Sequence, residues 1–307
     1  MSFALAGLLG PVALPAGADP WPEPPEGTRA LLLLTGADVG YVWPKGCWGY
    51  HGGSLYRPTF DRWLADSRPG IRRLWVSTGN VNTVPRYDDG IVVEPERVFR
   101  MLADTGYAVV GVGSMDLERL GPAGLLDWAR RGAFDLVATN LRVLETDRPL
   151  LAPSAVAEVS GRRIAFLAVL EHDPTWVGIA PDGTTVLTED PVRAVRRELA
   201  RLASGERPPD DVVLLSTLLQ GSLRTLLRAV SGIDLVAASS STYYTREEIL
   251  LEGHRVLWLG NWGRRLGVVP LTGDGPPGTA RTVDVDDEFP VDPATGRLRP
   301  RAGARLP

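Results

Sequence analysis

A mixed α/β fold, with largely parallel sheets covered by helices, is what this 307-residue sequence predicts. Three observations carry the prediction. Nearly continuous apolar runs such as ALLLLT (30–35) and DVVLLSTL (211–218) read as strands buried on both faces. Segments with apolar residues at helical spacing lie between them. Runs and helices alternate along the chain, the order expected of parallel strands joined by crossover helices.

The elements follow in order. Residues 1–28 combine an apolar stretch, FALAGLLGPVALPAGA, with the proline-rich linker DPWPEPPEGTR. The stretch has the core and small-residue cleavage region of a signal peptide but lacks a basic start. It is short for a membrane span and broken by Pro11 and Pro15. The expectation is a periplasmic or secreted protein with no membrane insertion in its mature form; otherwise the stretch is the apolar start of a cytoplasmic protein. One α/β domain is expected over 29–272. ALLLLT is its first strand, followed by a glycine turn and the aromatic loop YVWPKGCWGYHGG. Leu55, Phe60, Trp63 and Leu64 have helical spacing, and IRRLWVSTGN is the next strand and turn. PERVFRMLADTG opens with Pro95 and closes with Gly106, as helices prefer. Strand YAVVGVG, helix GPAGLLDWARRGA and strands FDLVATNL and RRIAFLAVL come next. Val192, Val195, Leu199 and Leu202 share one face of a helix over 190–204. Strand DVVLLSTL, helix SLRTLLRAV and strand GIDLVAAS precede two closing strands, RVLWLGN and RLGVVPL, which read as hairpin-like. Residues 273–307, rich in Pro, Gly and Asp, read as a loosely packed extension.

Composition removes several function classes. The net charge is −4, and no basic stretch is interleaved with aromatics, so no nucleic-acid surface is expected. Cys47 is the only cysteine, which rules out an internal disulfide, a four-cysteine zinc site and a cluster held by this chain alone. The three histidines, His51, His172 and His254, are far apart.

Several stretches together resemble the metallophosphoesterase domain of the 5′-nucleotidase family. FRMLADTGYAVVGVGSMDL (99–117) is similar to that family's "MNALGYDAMTLGNHEFD", and FDLVATNL to its "FPVLSANV". DPVRAVRRELARL, DDVVLLSTL and GIDLVAASSST follow its run from "DPVEAA" through "VVLLSHLG" to "GIDVIIGGHSH". GNWGRRLGVVPL resembles "GxYGxxLGxLxL". The resemblance implies a metallophosphoesterase-like mixed-sheet α/β sandwich and, in active members, two metal ions held on strand-end loops. GYVWPKGCWGYHGGSLYR also resembles the first loop of a bacterial exported subgroup, whose "GxxDL" matches Asp116-Leu117.

The ligands that the resemblance implies are missing. The first Asp and His fall on Ala37 and Val39, the bridging Asp on Asn80, and the Asn-His pair on Ser114 and Met115. The remaining histidines fall on Thr217 and among Ser239–Thr242. No metal and no cofactor is therefore expected. Confident catalytic residues are none; the candidates are Asp38, Asn80, His51 and Asp116. Strand-end loops converge, so Tyr41, Trp43, Trp48, Asn80, Ser114, Met115, Thr217, Ser240, Thr242 and Trp262 are expected to meet. Hydroxyls and amides beside aromatic rings suit an uncharged polar ligand or a partner protein segment; the same residues also suit plain space-filling. The leading expectation is a non-catalytic binding or scaffold protein, and the alternative is a divergent metal-dependent phosphoesterase with a remodelled site.

Overall fold

The computed structural model describes residues 24–40, 54, 56–82, 94–239, 243–273 and 275–285. Its first sheet has β1 (Thr28–Thr35), β2 (Arg72–Ser77), β3 (Tyr107–Gly111) and β4 (Asp135–Val137) side by side and parallel. On the other side of β1, β15 (Arg265–Thr272) and then β16 (Arg281–Asp284) add antiparallel. The second sheet has the order β13 (Ile249–Leu251), β14 (His254–Trp258), β12 (Leu235–Ala238), β11 (Asp211–Ser216), β8 (Arg162–Val169), β7 (Ser154–Val159). Its four inner strands are parallel and its two edges antiparallel.

Strand alternation explains the layers. Leu32 and Leu34 of β1 face a core shared with Phe166, Val213 and Leu257 of the second sheet. Leu31 and Leu33 point the other way, into a core with Phe60, Phe99 and Leu102. Those three come from α1 (Tyr56–Ser67) and α2 (Pro95–Thr105), which cover the first sheet with α3 (Ser114–Arg131). On the far side, Leu167, Leu214 and Val236 pack under α4 (Pro191–Ala203) and α5 (Gln220–Ala229). The inner strands of both sheets are thus buried on both faces, which is why they carry no polar phase, whereas edge strands such as β7 do.

Helix ends follow local chemistry. Gly106 ends α2 at φ 82, and the Asp190 carboxylate accepts the Arg193 N–H at 2.9 Å to start α4. The helix expected from Gly121 begins seven residues earlier, at Ser114, and kinks where Gly121 (φ 62) precedes Pro122. Its first turn is organised by tertiary hydrogen bonds, so the apolar period did not reveal it.

Two further expectations are corrected, and one small sheet was not anticipated. The closing strands do not pair: β14 lies parallel to β12 in the second sheet, while β15 lies against β1 in the first. The Gly260–Gly263 turn, with both glycines at positive φ, carries the chain across. The sheet also continues past residue 272, because β16 pairs with β15 although RTVD has no apolar run. A small sheet of β5 (Leu141–Val143), β6 (Arg148–Pro149), β9 (Val177–Ile179) and β10 (Thr185–Thr188) went unpredicted, its strands being too short to show a period.

His254, at the start of β14, is half-buried. Its Nε2 lies 2.9 Å from the Val230 carbonyl and 3.2 Å from that of Leu227, and its Nδ1 3.3 Å from that of Ile233. The ring thereby ties β14 to the end of α5. His254→Leu should lower stability to urea by about 1–3 kcal/mol, because buried carbonyls lose their partner. Leu250→Ala, at a side chain 77% exposed, should change it by less than about 0.5 kcal/mol.

Candidate functional site

Loops at the carboxyl ends of both sheets meet at one end of the molecule, as this class of fold dictates. After β1, Ala37, Val39 and Gly40 donate their N–H groups to the carbonyls of Gly79, Asn80 and Val81, each at 2.9 Å. Trp262, after β14, donates to the Ala37 carbonyl at 2.7 Å. This lacing holds Ala37, Val39, Asn80 and Trp262 at φ between 49 and 63. A β-branched Val39 in that region is strained, and such strain persists only where surrounding contacts over-determine it.

Asp116 is the junction of these loops. Its Oδ2 accepts N–H groups from Asn80 (2.6 Å) and Gly113 (3.0 Å), and its Oδ1 accepts the Asn82 N–H and side-chain amide, both at 2.9 Å. The side chain is fully buried. Burial pushes the carboxyl up to about 6, and the Asn82, Gly113 and Asn80 donors work against that rise. Asn80 turns its own Oδ1 to the Met115 N–H at 3.0 Å, so it caps α3. A Cβ on Gly113 would overlap that Asn80 amide.

Asp38 faces inward. Both its oxygens are held by Arg57 of α1, one at 2.7 Å from Nη1 and the other by Nη2. Both side chains are buried. Tyr107 lies beside the pair and bonds Thr35 at 2.9 Å, and burial pushes its hydroxyl up to about 12. Between the sheets the Thr78 and Ser239 hydroxyls bond each other, and a side chain at Gly36 would collide with both. Thr217 donates to the Val169 carbonyl at 3.3 Å.

Asn80 reaches Met115 and Trp262 reaches Ala37, and several of the candidate side chains are already engaged. Asp38 and Asp116 are committed to Arg57 and to backbone amides; Asn80 and Thr217 bond main chain. Ser114 and Met115 are half-buried at the start of α3. Tyr41, Trp43, Trp48, His51, Ser240 and Thr242 lie outside the described residues. Arg57, Thr78 and Tyr107 were missed; their partners are distant in sequence, and no local motif marks them. His172 is exposed, with Nδ1 3.1 Å from Thr188, and Asp173 makes the turn that follows.

This donor set does not fit a pair of divalent ions. Alkyl, hydroxyl, amide and thioether groups stand where anionic or imidazole ligands are required. Among the described residues, no three His, Cys, Asp or Glu side chains cluster as a metal site.

No protein-family model and no curated protein matches the chain. Solved structures do. A 5′-nucleotidase precursor from Thermus thermophilus matches with a TM-score of 0.68 at 20% identity, over 86% of this chain and 56% of that one. The sulfate thiohydrolase SoxB of the same species gives 0.67 at 14%, over 88% and 58%. A calcineurin-like phosphoesterase, YfkN, from Bacillus subtilis gives 0.60 at 15%, over 84% and 91%. The chain thus has the metallophosphoesterase, 5′-nucleotidase-like fold, and spans little more than half the length of the first two.

The buried carboxylates set two expectations. Arg57→Met should destabilise the protein by about 3–5 kcal/mol, because Asp38 is left charged and buried, and adding Asp38→Asn should recover part of the loss in chemical denaturation. Asp116→Asn should cost about 2–4 kcal/mol at neutral pH, since an amide turns N–H toward N–H donors. The folded carboxyl value of about 6 exceeds the ordinary 3.8, so the folded chain holds this proton more readily. The contribution therefore favours folding most below about pH 4 and is lost as pH rises through 6. The gap between the native protein and Asp116→Asn should widen as pH falls from 7 to 4.

Proposed function

We propose that the chain is a non-hydrolytic protein built on the metallophosphoesterase fold, and that its strand-end face serves binding or scaffolding. One observation carries this reading: the loops of that end keep a strained, hydrogen-bonded arrangement, while the ligand positions carry Ala37, Val39, Asn80, Ser114, Met115 and Thr217. The two nearby carboxylates support it, because each already has a full set of donors. Hydroxyl and amide groups beside Tyr243, Tyr244 and Trp262 favour a small polar ligand or a protein segment over a phosphate ester. Export to the periplasm or outside the cell is part of the proposal, supported by the apolar stretch before residue 20. No helix among the described residues is long and apolar enough to cross a membrane.

The purified full chain should contain no stoichiometric manganese, iron or zinc by elemental analysis. It should leave an activated phosphodiester uncleaved with manganese added. Stoichiometric metal, or turnover that Asn80→Ala abolishes, would overturn the proposal.

A further inference from the structure

Two outer strands of the large sheets are already covered. Beyond β16, the Glu248 N–H bonds the Ala280 carbonyl and the Thr282 N–H that of Arg246, both at 2.9 Å. Beyond β4, Val137 bridges to Ala152, and the Ala138 N–H bonds the Ala152 carbonyl at 3.1 Å. β7 is different. It is six residues long, pairs with β8 without a register shift, and contains neither Pro nor Lys. An edge of that kind is a template for another strand.

The ladder shows which backbone groups of β7 stay open. β8 gives its odd-numbered residues to β11: the Arg163 carbonyl accepts the Asp210 N–H at 2.8 Å, and the Val169 carbonyl the Thr217 N–H at 3.1 Å. Its even-numbered residues therefore face β7. Ala168 agrees, exchanging bonds with Thr139 beside Pro153, at the start of that strand. The partners of Arg162, Ile164 and Phe166 are Val159, Ala157 and Ala155. Ser154, Val156 and Glu158 thus turn N–H and carbonyl outward, and no described residue bonds them. Their side chains share the face under α4, where the Ser154 hydroxyl donates to Glu198 and accepts from Arg201 at 3.1 Å. Ala155 and Val159 point the other way, into the core between the sheets.

The open positions are symmetric about Val156, and that symmetry selects the occupant. A second β7 laid antiparallel, with Val156 on a twofold axis, opposes Val156 to its own copy and Ser154 to Glu158. Every opposed position faces outward, so each of the three pairs can exchange two hydrogen bonds. Charge agrees with this register. Glu158 is 58% exposed and only loosely paired, with Arg207 at 3.8 Å. In the pairing its carboxylate comes beside Ser154 of the other copy, next to Arg201. Arg201 uses Nε and Nη2 on Glu198 and Ser154, and its Nη1 makes no bond among the described residues. Opposite charges at such positions stabilise an antiparallel pair. We infer that β7 is a homodimer interface: two copies join edge to edge through Ser154, Val156 and Glu158, and their six-stranded sheets become one. A twofold contact uses up the edge, so assembly stops at two chains. The pairing is independent of whether the chain turns over a phosphate ester.

Sedimentation of the full chain at tens of micromolar should show a dimer. Val156→Pro should weaken it about ten- to a hundred-fold, because the central pair of bonds is lost. The Val156 N–H points away from β8, so proline is compatible with this edge and the melting temperature should hold. Glu158→Arg changes an exposed side chain and no backbone group, and should weaken the dimer about two- to ten-fold. With Cys47→Ser as background, a short bismaleimide should join Val156→Cys into a covalent dimer. Glu158→Cys should resist it, since its two copies lie about 13 Å apart along the strands. A monomer at that concentration would overturn the interface, as would a dimer that keeps its affinity in either variant. Assembly beyond two chains, or crosslinking as fast at 158 as at 156, would overturn it too.

Discussion

The loops after β2 and β3 are held together by the buried carboxylate of Asp116. Four N–H donors from Asn80, Asn82 and Gly113 converge on its two oxygens, and those donors belong to the loops after β2 and β3. Once those loops are fixed, the loop after β1 can lace onto them through Ala37, Val39 and Gly40. Asn80 is then placed to cap α3. A carboxylate whose oxygens are filled by the protein's own amides organises a site without entering its chemistry.

The same end keeps an unusual backbone. Positive φ at Ala37, Val39 and Asn80 is a backbone arrangement that side-chain chemistry alone would not select. It survives because the lacing and Asp116 enforce it. The interior hydroxyls bond each other or main chain, and Asp38 is neutralised by Arg57. Among the described residues, the Asp38 and Asp116 carboxylates both have donors from the protein itself.

The sequence made the strands and most helices legible, because two-sided burial leaves an apolar run and end-of-helix residues leave Pro95, Gly106 and Asp190. The family likeness was readable from ordered motifs, and the structural matches agree with it at the level of fold. What stayed hidden has a common cause. Arg57 meets Asp38 nineteen residues away, and Thr78 meets Ser239 across 161 residues; no local window contains either pair. β16 and the small third sheet are specified by partners rather than by their own period. The beginning of α3 was hidden because tertiary hydrogen bonds, not amphipathicity, set it.

The central proposal is that the strand-end face has the frame of this fold and holds no metal pair. Crystals soaked in manganese and measured for anomalous scattering test it directly. We predict no anomalous peak beside Asn80, Ser114 and Thr217, with the Asp116 hydrogen bonds unchanged. Two peaks about 4 Å apart at that position would contradict it.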